Sequence, residues 1–178
     1  MIRRINFFGG PGVGKTTLAS RAFVMLSQSG QSVAQVQECV KQAVYAQREI
    51  KGWDCVLTAA QQLNAEYLPL SYGVQQIVSD SPLLLQAVYA QHYKCPAASQ
   101  MSAMCFEFEK CYPSVNFLVQ RCFPFQSEGR YQSNEGEALE IDDIIETGIA
   151  CHCLPFTRIR PDMSDSQLES LLYQITDR

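Results

Sequence analysis

The stretch Gly9-Gly10-Pro11-Gly12-Val13-Gly14-Lys15-Thr16-Thr17 constrains this chain more than any other. It fits the pattern G-x-x-x-x-G-K-[ST]. Before it, Ile5-Asn6-Phe7-Phe8 reads as a short buried strand. After it, Leu18, Ala22, Met25 and Leu26 recur at helical spacing. Strand, glycine-rich turn and helix together are the setting of a phosphate cradle. The glycines let consecutive N–H groups curl inward, and the helix N-terminus adds partial positive charge. Gly10, Pro11, Gly12, Val13, Gly14, Lys15, Thr16 and Thr17 would surround a nucleoside triphosphate. Lys15 would bridge its β- and γ-phosphates, and the Thr16 hydroxyl would hold Mg²⁺.

The remaining pattern alternates strands with helices. Strands are expected at 3–8, 32–37, 74–79, 114–120 and 149–156. Helices are expected at 16–29, 40–50, 54–67, from Ser81-Pro82 onward, and at 98–111, 136–147 and 164–175. Residues 68–73 read as a connector and 122–134 as irregular and polar. Such alternation gives an α/β fold with a mostly parallel sheet and helices on both faces. The length, 178 residues, suits one domain spanning 1–178. Ligands of such sheets bind at the carboxyl ends of strands. The residues just after the strands are Gly9–Thr16, Glu38, Asp80 and Arg121, so these should share one crevice.

Phosphoryl transfer needs a phosphate cradle, cations for the transferring group and a positioned acceptor. Arg121 and Arg130 bound a polar segment, about 121–134, that reads as an arginine-bearing lid closing over the triphosphate. Asp80 follows Ile77-Val78 and would hold Mg²⁺ together with Thr16; the alternative is a helix-capping role before Ser81-Pro82. Glu38 could accept a proton from an acceptor hydroxyl or hold that hydroxyl in line; the alternative is a surface carboxylate. Lys41 and Arg48 lie seven apart on one helical face; they could contact an anionic acceptor, the alternative being ordinary exposed residues. Trp53, Tyr45 and Tyr89 are candidates for stacking on a base by residue type alone. Asp142 and Asp143 read as solvent-facing on an acidic helix, and neither His92 nor His152 has partner spacing.

A formal net charge of −4 argues against a broad electrostatic nucleic-acid surface. The eight cysteines are scattered, without a C-x-x-C pair, and read as reduced thiols. On an expected strand, Cys151 and Cys153 would share a face and pack in the core, with His152 opposite. No apolar run reaches the ~18 residues of a membrane span. A soluble, cytoplasmic protein that makes no membrane contact is expected.

Taken together, these motifs resemble small P-loop kinases of bacteriophages. The resemblance rests on the opening Ile5-Asn6-Phe7-Phe8 with its glycine-rich loop, on Val36-Gln37-Glu38-Cys39-Val40-Lys41, and on Val78-Ser79-Asp80-Ser81-Pro82-Leu83-Leu84-Leu85. It continues through Arg121, Gly129-Arg130-Tyr131-Gln132 and Ala138-Leu139-Glu140-Ile141-Asp142. It implies a three-layer P-loop NTPase fold whose five-stranded parallel sheet has the order 2-3-1-4-5. Some relatives of this type are similar to kinases acting on 5-hydroxymethyluracil in DNA, which implies that Glu38 or Asp80 orients the acceptor hydroxyl. Cys39 stands where such relatives carry a larger, often aromatic residue. A phage origin would put the protein in the host cytoplasm.

The function expected from these readings is an ATP- and Mg²⁺-dependent kinase. Its acceptor would be a hydroxyl of a nucleoside, a nucleotide or a hydroxymethylated pyrimidine base. ATP is preferred to GTP because the guanine-reading N-K-x-D pattern is absent. The rival is an ATPase or switch acting on a protein partner. A homodimer is compatible with either.

Overall fold

The computed structural model describes residues 3–40, 50–127, 132 and 134–176. The expected helix at 40–50, with Lys41, Tyr45 and Arg48, lies outside them apart from its two end residues. Five strands are present: β1 (Arg4–Phe8), β2 (Val33–Val36), β3 (Gln76–Ser79), β4 (Ser114–Val119) and β5 (Thr157–Ile159). The helices are α1 (Lys15–Gln28), α2 (Asp54–Ser71), α3 (Leu83–His92), α4 (Ala98–Cys111), α5 (Glu135–Cys151) and α6 (Asp165–Thr176). The strand order is β2-β3-β1-β4-β5, and every pairing is parallel. This is the expected α/β sheet with the expected order.

Alternation along β1 sorts the core into two layers. Ile5 and Phe7 pack with Val78, Phe117 and Val119 against Leu18, Ala22 and Leu26 of α1 and Leu168 and Leu172 of α6. Phe8 points the other way, joining Ile77 and Leu118 against α2, α3, α4 and α5. β1 carries apolar side chains on both faces because it is covered on both.

The second face also holds polar groups. Asn6 donates to Asn116 across the β1–β4 pair at 3.0 Å. Arg4 is buried and forms an ion pair with the fully buried Glu66 at 2.9 Å, and a further one with Glu109. Its guanidinium lies over the Phe108 ring. Glu66 also accepts from the Leu83 N–H, the first residue of α3, at 2.6 Å, and from Gln62 at 3.3 Å. Burial pushes the Glu66 carboxyl up, while Arg4 and these donors pull it down.

Three expectations about elements are corrected. Residues 149–156 are not a strand. α5 runs on to Cys151 because Ile141, Ile145 and Ile149 continue its buried stripe at four-residue spacing. The fifth strand is the shorter Thr157–Ile159. Cys151 and Cys153 are therefore exposed rather than in the core, and Cys153 turns the chain at φ 53°. His152 caps α5 and packs edge-on against Phe106. The expected connector at 68–73 is helical as far as Ser71. Pro69 removes one backbone donor, but Glu66 and Leu70 are both buried one turn apart and hold the last turn to the core. Finally, α5 starts at Glu135, because Asn134 accepts from the Glu137 N–H and donates to its carboxylate.

Among the described residues, no helix is long and apolar enough to cross a membrane.

Two measurements check this packing. Glu66→Ala leaves Arg4 buried without its best partner, which costs about 3–5 kcal/mol and should appear as a lowered urea midpoint with the slope retained. The thiols should separate by burial, because the thiolate is the reactive form. Desolvation, with help from Glu66, pushes the Cys105 thiol up to about 12. Cys111, Cys151 and Cys153 should therefore label first with an aromatic disulfide at pH 8, and Cys105 only after unfolding.

Candidate phosphate-binding site

β1 ends at Phe8, and the chain turns at once through Gly9 to Gly14 into α1. Gly14 sits at the N-cap of α1 with φ 96°, a left-handed conformation that glycine adopts without strain. A Cβ there would lie 2.9 Å from Pro161. The loop joining β5 to α6 is thus pressed against the cradle. No side chain caps α1, and its N-terminus opens onto the loop, where the partial positive charge of a helix start favours an anion.

The cradle's polar side chains are ordered. Lys15 Nζ donates to the Gly10 carbonyl at 2.6 Å, which folds the lysine over the loop. Thr16 Oγ1 donates to Asp80 Oδ2 at 2.5 Å. Asp80 is buried directly after β3. This hydroxyl–carboxylate pair is an oxygen-only donor set, which suits a hard cation such as Mg²⁺. No group of three or more His, Cys, Asp or Glu able to hold a metal occurs among the described residues. An ion held here would accordingly need phosphate oxygens or water to complete its shell.

Arg121 follows β4. Its Nε donates to Asp142 Oδ2 at 2.7 Å, while Nη2 donates to Asp142 Oδ1 at 3.1 Å and to the Pro11 carbonyl at 2.9 Å. Nη1 is buried and has no hydrogen-bond partner among the described residues. Asp142 Oδ1 also accepts from the Gly10 N–H at 2.9 Å. One carboxylate on α5 therefore clamps both the rim of the loop and the arginine beside it. This corrects the solvent-facing reading of Asp142; Asp143 is exposed as expected. The signal was in the helical spacing. Asp142 lies four residues after buried Ala138 and three before buried Ile145, which puts it on the edge of the inward stripe.

Register explains why these groups meet. Val36 pairs with Ser79 and Asn6 with Ser79, so Glu38, Asp80 and Gly9 all leave the sheet at one edge. Phe8 pairs with Leu118 and Val119 with Ile159, which brings Arg121 and Pro161 to the same edge. Glu38 is half-buried two residues beyond β2, and the next backbone N–H, that of Cys39, donates to Gln62 at 3.4 Å. Arg130 lies outside the described residues. Val13 is buried against Leu18 and Val119 rather than presented to the crevice.

A family model described as an AAA domain matches residues 4–165. The chain belongs to the AAA domain family. Solved structures of similar fold show how this AAA domain is built. A NadR protein in complex with NR superposes with a TM-score of 0.74 at 14% identity, over 99% of this chain and 51% of that one. A NadR protein in complex with NAD and AMP-PNP gives 0.67 at 14% identity, over 99% and 49%. The AAA domain thus spans about half the length of those proteins and shares the P-loop NTPase fold with them. No curated protein matches it by sequence.

The contact between loop and α5 leaves no room at Gly10. A Cβ there would stand 2.0 Å from Asp142 Oδ1. Gly10→Ala should push Asp142 off the loop and cost about 1–3 kcal/mol, read as a fall in unfolding free energy. An equally stable Gly10→Ala protein would show that the clamp is not held in solution.

Proposed function

We propose that this chain is an ATP- and Mg²⁺-dependent kinase. It transfers the γ-phosphoryl group to a hydroxyl of a nucleoside or nucleotide, or of a hydroxymethylated pyrimidine such as 5-hydroxymethyluracil in phage DNA. The observation that carries this reading is the placement of Arg121. It is partly buried at the loop's rim, anchored by Asp142 and the Pro11 carbonyl, and its buried Nη1 is a donor left over. A fixed cation beside a phosphate cradle is what a transferring phosphoryl group requires. The two NadR structures, one holding NR and the other NAD with AMP-PNP, support the view that this fold accommodates both a nucleoside and a nucleotide.

In this reading Gly10 to Thr17 hold the triphosphate, and Lys15 leaves the Gly10 carbonyl to pair with the β- and γ-phosphates. Thr16 and Asp80 hold Mg²⁺, which when bound neutralises charge on the phosphate oxygens. Glu38, one strand away from Asp80, holds the acceptor hydroxyl in line and takes its proton. Arg121 stabilises charge on the transferring group, and Arg130 joins it from the lid at about 121–134. The acceptor half lies on the β2 and β3 side, since β4 and β5 bring Arg121 and Pro161 against the loop from the other.

Incubation with γ-labelled ATP and a panel of nucleosides, nucleotides and 5-hydroxymethyluracil DNA tests the reading. Label should move to one acceptor class. Label released only to water would overturn the kinase reading and leave an ATPase. Lys15→Ala should lower the transfer rate on the order of a hundredfold or more with the melting curve unchanged, and an active Lys15→Ala protein would remove the loop from the chemistry.

A further inference from the structure

Gln86, Tyr89 and Tyr93 recur along α3 and just past its end at i, i+3 and i+7, so they lie along one stripe. The other sides of α3 are occupied. Val88 meets α5 so closely that a Cβ on Gly148 would stand 2.7 Å from it. Gln91 donates to Ser102 of α4 at 3.0 Å. Ala90 packs with Ala59 of α2 and Met101 of α4. The remaining stripe starts one turn into α3, which follows Asp80, and Tyr89 packs, half-buried, against the cluster that holds Val36 at the end of β2 and Ile141 of α5.

The electrostatics agree with this placement. Burial pushes the Tyr89 hydroxyl up, and Glu38, Tyr93 and Asp142 push it further. The carboxylate after β2 and the one that clamps the loop are thus both within electrostatic reach of it. Tyr93, just past α3, is largely exposed, and its hydroxyl is raised by partial burial, then by Glu140 of α5 and Cys55 of α2. The Tyr89 and Tyr93 rings are 6.2 Å apart and form a continuous aromatic wall. Gln86 is 5% exposed, yet its Nε2 has no hydrogen-bond partner among the described residues. A buried donor left unpaired is costly unless a ligand supplies the acceptor atom.

We propose that Gln86 and Tyr89 form the subsite that recognises the base of the phosphoryl acceptor. Gln86 donates to a carbonyl oxygen on a planar heterocycle, and the Tyr89 ring walls that heterocycle. The ligand class is a nucleoside or nucleotide whose ring carries a carbonyl, as in pyrimidines and nicotinamide, in preference to adenosine. The word acceptor rests on the kinase reading; the binding site does not.

The test is equilibrium binding of thymidine, uridine, nicotinamide riboside and adenosine in the presence of AMP-PNP and Mg²⁺. It compares wild type, Gln86→Met, Gln86→Glu and Tyr89→Ala, with folding checked by thermal melts. At least one carbonyl-bearing nucleoside should saturate the wild type. Gln86→Met, with similar length but no donor, should weaken it roughly tenfold or more, and Tyr89→Ala should weaken it roughly tenfold, while AMP-PNP affinity stays the same. Gln86→Glu keeps the shape and removes the donor, so it reads the same loss if the methionine variant misfolds. The proposal is overturned if no carbonyl-bearing nucleoside binds the wild type. It is equally overturned if the folded variants bind as the wild type does, or if adenosine depends on Gln86 as strongly. Binding lost in the variants while label passes only to water would sink the kinase reading and leave the subsite standing. Transfer with an unchanged acceptor KM in the variants would do the reverse.

Discussion

The Asp142 carboxylate is the contact on which the rest of the crevice depends. It takes two donors from Arg121 and one from the Gly10 N–H. Charge-assisted, bidentate bonds of this kind fix orientation as well as distance. The loop belongs to the β1–α1 unit, and α1 packs on one face of the sheet; α5 packs on the other. Asp142 therefore joins the two layers at the sheet's edge. Pro161 seats against Gly14 from the β5 side. The loop is braced at both of its glycine ends, which is how a flexible composition becomes a rigid cradle.

That arrangement is possible because β1 is central. It pairs with β3 on one side and β4 on the other, so the residues after all three strands emerge together. The cost of a central strand is that its polar side chains cannot reach water. Arg4 and Asn6 meet this cost with partners on the same face: Glu66 and Glu109 for the guanidinium, and Asn116 for the amide. The donors of both side chains are thus matched by acceptors drawn from distant parts of the chain, while Asn6 Oδ1 keeps no hydrogen-bond partner among the described residues.

Much of this was legible in the residues. The nine-residue loop is local, and its strand–turn–helix context made the crevice follow from general rules, while the strand order followed from the resemblance to P-loop kinases. Glu38, Asp80 and Arg121 leave the sheet at one edge because each follows a parallel strand within two residues. The failures are equally local in cause. Ile149 to Phe156 looked like a strand because β-branched, aromatic and alternating residues do; the helix won because Ile149 falls on the stripe set by Ile141 and Ile145. Pro69 looked like a stop, but burial of Leu70 outweighed one missing donor. Asp142 looked exposed because it sits in an acidic run, and only its place on the helical wheel marked it. Gln86 gave no sequence signal, since an unpaired amide is visible only once its surroundings are known.

Glu66 does two things at once: it neutralises Arg4 beneath β1 and holds the first N–H of α3. The foundation of the central strand and the start of the helix carrying Gln86 and Tyr89 thus share one carboxylate. α3 cannot swing away without breaking the bond between its first N–H and a fully buried carboxylate. Its first turn is thereby anchored to the core. Under the proposed subsite, Gln86 and Tyr89 would meet a ligand from a helix whose start is already fixed.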